Sequence, residues 1–436
     1  MKVNTNGYLE IGGCDVVELA KQYGTPLYIF DEETVVKKAE EYTACLQELP
    51  DSEVIFAGKA FLTVGMCRLL DSLGLSLDVV SGGELYTALQ AEFPAGRIYF
   101  HGNNKSSDEL KMALQAGVGR IVVDNIQELN LVSNFAQEMG IRAKILLRVT
   151  PGVEAHTHSY IQTGQLDSKF GIGMQSEQAL AVVQLADTLP GIDLRGVHCH
   201  IGSQIFDISC FDVAIDLMVQ FLAQVLRNGI QLHELDLGGG LGVRHTIDDE
   251  PVSIAEFGDL LVTSVKQATN KYQIPVPKIM IEPGRSLVGE AGTTIYQVGA
   301  IKEIPGIRTY ASVDGGMGDN PRVALYQAKY HVIAANKANK TADKIYTIAG
   351  KCCESGDMLV HDAPLPTLEA GDILAILSTG AYNYSMASNY NQLPRLAVVT
   401  VYKGSSDILV ERETYADLVR LHSIPARWVT DSTVIK

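Results

Sequence analysis

The residue types best suited to chemistry recur just past apolar runs. Val54-Ile55-Phe56-Ala57-Gly58-Lys59-Ala60 sets a lysine after a short apolar run and ahead of an apolar helix pattern at Phe61, Leu62, Val64, Met66, Leu69 and Leu70. Lysine is rarely buried without a task, so the amine reads either as a reactive group at a strand's end or as a side chain snorkelling from a loop. Asp236-Leu237-Gly238-Gly239-Gly240-Leu241-Gly242 follows another apolar run. Its glycines make either a tight turn or a nest of backbone N–H groups for a phosphate; the spacing is not that of a dinucleotide site. Glu282-Pro283-Gly284-Arg285 pairs a carboxylate with a rigid turn and an arginine. The carboxylate can keep a ring nitrogen protonated and the arginine can grip a phosphate or carboxylate, unless the two simply pair at the surface. His198 and His200, two residues apart, are expected to divide between the site and packing rather than to bind one metal.

The elements that would position these groups alternate. Candidate strands at 54–57, 77–80, 98–100, 121–123, 144–149, 196–200, 234–237 and 278–281 are separated by helical periodicities such as 108–116, 126–139, 176–188 and 210–228. Continuous apolar strands in repeated βα units imply a parallel sheet buried on both faces. Eight of them over about 250 residues point to a (β/α)8 TIM barrel, residues 31–283, rather than an open sheet. The residues just past the runs, Lys59, Ser81, Asn103, Asn125, Arg148, His200, 238–240 and Glu282, are expected to converge on the barrel mouth. After Pro283 the alternation gives way to short β-like runs at 293–302, 309–313, 344–348, 373–377, 397–402 and 407–410. The fold class is α/β plus all-β: a C-terminal β-sandwich or barrel-like domain over 284–436, to which 1–30 adds, with strands at 8–11 and 27–30 flanking a helix at 15–23.

Composition narrows the partners. The 436 residues carry 51 acidic and 35 basic side chains, a formal charge of −16 that argues against a nucleic-acid partner. A local arginine cluster can still oppose that sign toward an anionic substrate. Cys14, Cys45, Cys67, Cys199, Cys210, Cys352 and Cys353 lack framework spacing and any CxxC pair, which reads as free thiols in a reducing compartment with no metal pattern. The N-terminus has no apolar signal core, and no run nears the ~18 uninterrupted apolar residues of a membrane helix. The expected location is the cytoplasm, away from membranes.

A lysine, an anion nest, a carboxylate, an arginine and a flat imidazole at one mouth make the inventory of a pyridoxal phosphate site. The sequence resembles the alanine-racemase-type barrel decarboxylases that use pyridoxal 5'-phosphate, and within them the branch that converts meso-2,6-diaminopimelate to L-lysine and carbon dioxide. The resemblance spans about Tyr28 to Arg395. It rests on an ordered set of motifs: 56–60 around Lys59, Asp78-Val-Val-Ser-Gly-Gly-Glu84, Ser168-Lys-Phe-Gly-Ile172, His198-Cys-His-Ile-Gly-Ser203, Gly238-Gly-Gly240, Glu282-Pro-Gly-Arg285, Cys353-Glu-Ser-Gly-Asp357 and Gly380-Ala-Tyr382.

The resemblance implies that Lys59 carries the cofactor, Glu282 meets its ring nitrogen and His200 stacks on the ring. It implies further cofactor contacts from Asp78, Ser203, Gly239, Gly240, Gly284, Arg285 and Tyr382. Arg285, Arg322, Tyr326, Glu354 and Tyr382 match positions that recognise substrate, and Cys353 matches the proton donor. Cys353 and Glu354 would come from a partner subunit, giving a head-to-tail homodimer with two shared sites. Phe56 and Phe61 depart from the commoner tyrosine and asparagine, and 391–395 lacks a second proline and glutamate; Phe61 bears on the packing beside Lys59. Two further readings compete: a decarboxylase for ornithine, lysine or arginine, and a non-catalytic cofactor-binding homologue. Arg322 favours the diacid, and Lys59 with Cys353 favours an enzyme.

Overall fold

The structure is a computed structural model that describes residues 1–153, 168–174 and 177–428. Eight parallel strands close a barrel: β1 (Glu53–Ala57), β2 (Ser76–Val79), β3 (Ile98–Phe100), β4 (Arg120–Val123), β5 (Ala143–Thr150), β6 (Ile192–His198), β7 (Glu234–Asp236) and β8 (Lys278–Ile281). Closure is direct, with Met280 and Ile281 of β8 in register with Glu53 and Val54 of β1. Outward-facing apolar residues of the strands join the helices in one large core. The expected barrel is therefore the observed one.

The barrel interior is layered, because alternate residues of every strand face inward. Ile55, Tyr99, Val122, Leu146 and Met280 form a fully buried apolar plug. Glu53 accepts a hydrogen bond from Tyr99 Oη at 2.9 Å and pairs with Lys278, and Arg120 pairs with Glu234 at the same end. Toward the strands' C-terminal ends the same inward registers hold Asp78, His101, Asp124, Arg148, His198, Asp236 and Glu282. An apolar plug thus separates a charged floor from a charged upper layer. The β6–β7 contact is tight: a Cβ on Gly196 would lie 1.9 Å from Glu234 O, so only glycine fits.

Not every polar residue past a strand serves the mouth. Ser81 and Asn125 are helix N-caps, accepting from the backbone N–H groups of Glu84 and Glu128 at the starts of helices Gly82–Gln90 and Ile126–Glu138. Helix starts need such acceptors, and in a βα unit they fall where a site residue would. Helix Ser209–Arg227 is long and apolar enough to cross a membrane, yet it carries two aspartates and packs Phe211, Met218 and Leu222 into the core.

The second sheet runs Met358–Leu365, Lys344–Ala349, Arg308–Val313, Gly292–Ile304, Leu27–Asp31, Ala397–Tyr402, Ser405–Val410, with Ile373–Ile376 and Val332–Ala334 alongside. Val332–Ala334 and Met358–Leu365 have no counterpart in the sequence reading. Strand Leu27–Asp31 sits between the long strand Gly292–Ile304 and Ala397–Tyr402. Its alternation divides it: Tyr28 and Phe30 enter the barrel-side core, and Leu27 and Ile29 enter a core shared with Leu9, Ile11 and Val16. That strand fastens the second sheet over the barrel mouth. The expected helix at 176–188 is seen as Gln178–Thr188, and Ser176 lies outside the described residues.

Candidate active site

Strand β1 ends at Ala57, and a 3-10 turn over Gly58–Ala60 presents Lys59 at the mouth. The second sheet's loop pins that turn: Tyr382 N donates to Ala60 O at 2.8 Å and Ser385 Oγ donates to it at 3.2 Å. Burial pulls the Lys59 amine down, but Asp78, Tyr382 and Glu282 outweigh it and hold its pKa above the ordinary value. A free amine here is charged and faces anionic groups.

Glu282 follows β8 and is buried at 5% exposure. Burial alone would raise its pKa, yet His101 and His198 draw it well below the usual carboxylate value. His198 Nε2 lies 3.3 Å from Glu282 Oε2, and His101 Nε2 lies 2.8 Å from Oε1 without good hydrogen-bond alignment. Asp236 and Asp78 share this layer, and burial pushes both upward, Asp236 strongly. Of three adjacent carboxyls, Glu282 is the one held below its ordinary value.

The loop after β7 closes one side. Glu282 N donates to Gly238 O at 2.8 Å and Gly239 N donates to His200 Nδ1 at 3.4 Å. A Cβ on Gly239 would meet Glu282 O at 2.0 Å, and one on Gly240, at φ +135°, would meet Gly202 O at 2.5 Å. The glycines are thus required by backbone crowding. Beside them Arg285 Nη2 donates to Ser203 Oγ at 3.1 Å. Arg285 stacks on Tyr382, and Arg322 stacks on both Tyr326 and Tyr382. Burial, then Arg322, lowers Arg285 to about 10. Arg285 Nε and Nη1 and Arg322 Nε have no partner among the described residues.

Lys59, His200, Ser203, Gly239, Gly240, Glu282, Gly284, Arg285, Arg322, Tyr326 and Tyr382 line one cavity, with Met386 and Leu241. Asp78 lies in the layer beneath. Cys353 and Glu354 do not line it and are exposed in this chain. The two histidines do divide, but not by facing opposite sides of the strand. Residues two apart on an extended chain share a face, so His200 lines the cavity while His198, 1% exposed, bonds to Glu282 from below. His101 and Asp236 went unread as site residues, although the inward registers of β3 and β7 carry the signal. Phe61 packs away from the cavity, stacked on Phe30 at 3.9 Å.

The arrangement suits pyridoxal phosphate: an amine to carry it, a charged carboxylate, close-packed glycines, and buried arginine N–H groups without protein acceptors among the described residues. The family model "Pyridoxal-dependent decarboxylase, pyridoxal binding domain" matches residues 33–289. Diaminopimelate decarboxylase of Bacillus subtilis is 51% identical over 420 residues, 96% of each chain. The chain belongs to the diaminopimelate decarboxylase family. Among solved members, the M. jannaschii diaminopimelate decarboxylase in co-complex with L-lysine superposes with a TM-score of 0.92 at 36% identity over 98% of each chain. The Helicobacter pylori diaminopimelate decarboxylase complexed with L-lysine gives 0.86 at 32% identity, over 93% of this chain and 99% of that one. Pyridoxal phosphate is accordingly the cofactor, and the closed barrel with its added sheet is the architecture of diaminopimelate decarboxylases.

Proposed function

We propose that this chain removes one carboxylate from meso-2,6-diaminopimelate, giving L-lysine and carbon dioxide as the last step of lysine biosynthesis. The observation that carries the substrate choice is the pair of buried arginines, Arg285 and Arg322, facing the Lys59 cavity with N–H groups unpartnered. A substrate with a distal carboxylate supplies the missing acceptors. Ornithine, lysine or arginine would bring a further cation to that place.

Lys59 would hold the cofactor, Glu282 would meet its ring nitrogen and favour the protonated form, and His200 would lie against the ring. Ser203, Gly239, Gly240, Gly284 and Arg285 would hold its phosphate, and Asp78 supports the layer below. The bound cofactor supplies the electron sink for the pair left when carbon dioxide departs. Arg322, Tyr326 and Tyr382 orient the distal end of the substrate. Cys353 then returns a proton to the reacting carbon, and Glu354 meets the distal amine. Both belong to a second copy of the chain in a head-to-tail homodimer; their exposure and their absence from this chain's own cavity support that reading. Seven free thiols suit the reducing cytoplasm.

The reconstituted protein should be yellow, and borohydride should bleach it and trap the cofactor on the Lys59 peptide. Carbon dioxide release should be fastest from meso-diaminopimelate. A colourless protein, or faster release from ornithine, lysine or arginine, overturns the proposal.

A further inference from the structure

Two buried histidines lie beneath Glu282 and line no part of the cavity. His198 and His101 are 1% and 4% exposed, and their rings meet edge to face with centroids 4.9 Å apart. Each faces a different oxygen of Glu282, His198 Nε2 at 3.3 Å from Oε2 and His101 Nε2 at 2.8 Å from Oε1. Packing alone does not account for this. An imidazole is a costly filler for a barrel interior, and two of them bracket one carboxylate.

An ionised carboxylate only accepts hydrogen bonds. His198 must therefore carry its proton on Nε2, and its buried Nδ1 has no hydrogen-bond partner among the described residues. Burial brings His198 down to about 3, so this ring is a neutral donor. The same layer holds Asp236, whose Oδ1 accepts from Gly238 N at 2.9 Å, and Asp78, 4.0 Å from His101 Nε2. Three carboxyls packed together cannot all ionise. A hydrogen bond from His198 and the close approach of His101, both to Glu282, decide which does.

We propose that His101 and His198 are positioning residues that place the layer's negative charge on Glu282 and thereby fix the proton on the cofactor's ring nitrogen. This rests on the reading of Glu282 as the partner of that nitrogen. Because the ring nitrogen's proton governs how well the ring accepts electrons, the pair acts on turnover rather than on substrate binding.

The test uses holoenzyme carrying pyridoxal phosphate labelled with 15N in the ring. Wild type should show a protonated ring nitrogen and a neutral Nε2–H signal from His198. His198→Phe and His101→Phe should move the cofactor resonance toward unprotonated pyridine and lower kcat at least tenfold with KM within twofold. His198→Asn and His101→Asn, which restore an N–H donor, should recover part of the resonance shift. Should the Phe variants fail to fold, the wild-type spectra decide: an unprotonated ring nitrogen, or His198 as imidazolium or the other tautomer, overturns the proposal. So does an unmoved resonance in folded Phe variants that still trap cofactor on Lys59. The ligand atoms of His101, His198, Asp236 and Glu282 all lie within 4.8 Å of one another, so a metal ion bound one per wild-type chain, found by elemental analysis, also overturns it. Failure of wild type to trap cofactor on Lys59 would instead sink the functional reading itself.

Discussion

Arg285 and Arg322 share one aromatic platform, their guanidinium carbons 4.8 and 5.5 Å from the ring centroid of Tyr382. Both are buried, at 4% and 6% exposure. Arginine does not shed its proton in proteins, so two such charges side by side store repulsion until anions arrive. Ser203 ties Arg285 to the glycine side of the cavity, and under the proposed function Arg322 is the arginine that faces the substrate's far end.

Replacing Arg322 by Met keeps the stem over Tyr382 and removes the charge. Losing one partner of a buried charged hydrogen-bonded pair costs about 2–5 kcal/mol. We expect kcat/KM for meso-diaminopimelate to fall by about 10² or more, with cofactor trapping on Lys59 intact. The ratio of meso-diaminopimelate to ornithine turnover should fall with it. An unchanged ratio would remove Arg322 from substrate recognition.

Phe61 lies two residues from Lys59 yet belongs to the junction of the two domains, stacked on Phe30 and edge-on to Tyr384 at 5.6 Å. Phe61→Ala should destabilise the fold by about 3–5 kcal/mol, read as a lower denaturant midpoint. The variant, where folded, should stay yellow with an unshifted absorption band. A shifted band at unchanged stability would place Phe61 in the site instead.

The barrel was legible because its strands are buried on both faces and read as continuous apolar runs. The cavity residues were legible where glycine, lysine or an acidic group interrupted those runs, as at Lys59, 238–240 and Glu282. His101 and Asp236 escaped because each continues a strand's inward register, Asp236 as the last residue of β7 and His101 just past β3, where only the assembled barrel shows what it faces. Ser81 and Asn125 misled for the converse reason: an N-cap and a site residue occupy the same place after a strand. Strand Met358–Leu365 was missed because His361, Asp362 and Pro364 interrupt its apolar pattern.

Asp319 should make stability depend on pH. Its carboxylate accepts from Gly316 N at 2.8 Å, but burial, then Asp357 and Asp314, push it up to about 7 from the usual 3.8. A carboxyl with a raised folded pKa gives its full stability below the unfolded value and loses it as pH climbs through the folded one. The whole move corresponds to ~4 kcal/mol. Asp319→Asn keeps an acceptor for Gly316 and abolishes the titration. Its advantage over wild type should be near zero at pH 4, grow to about 2–4 kcal/mol by pH 8 and then level off, followed by denaturant midpoints across that range. A difference that does not vary with pH would show that Asp319 is not the group titrating.

The homodimer reading is tested by mixing two inactive variants. Cys353 is held on a stiff loop: its backbone N–H donates to Asn391 Oδ1 at 2.7 Å, and the Asp357 carboxylate accepts from Cys352 N at 2.7 Å and Met317 N at 2.6 Å. In a mixed dimer of Lys59→Ala and Cys353→Ala subunits, one shared site contains both substitutions and the other contains neither. Random pairing of equal amounts makes half the dimers mixed, so coexpression should restore about a quarter of wild-type turnover. If each site were built from a single chain, every site in every dimer would carry one substitution, and mixing would restore nothing. Absence of recovery, with mixed dimers demonstrated by differently tagged subunits, would therefore return Cys353 to its own subunit or remove it from the reaction.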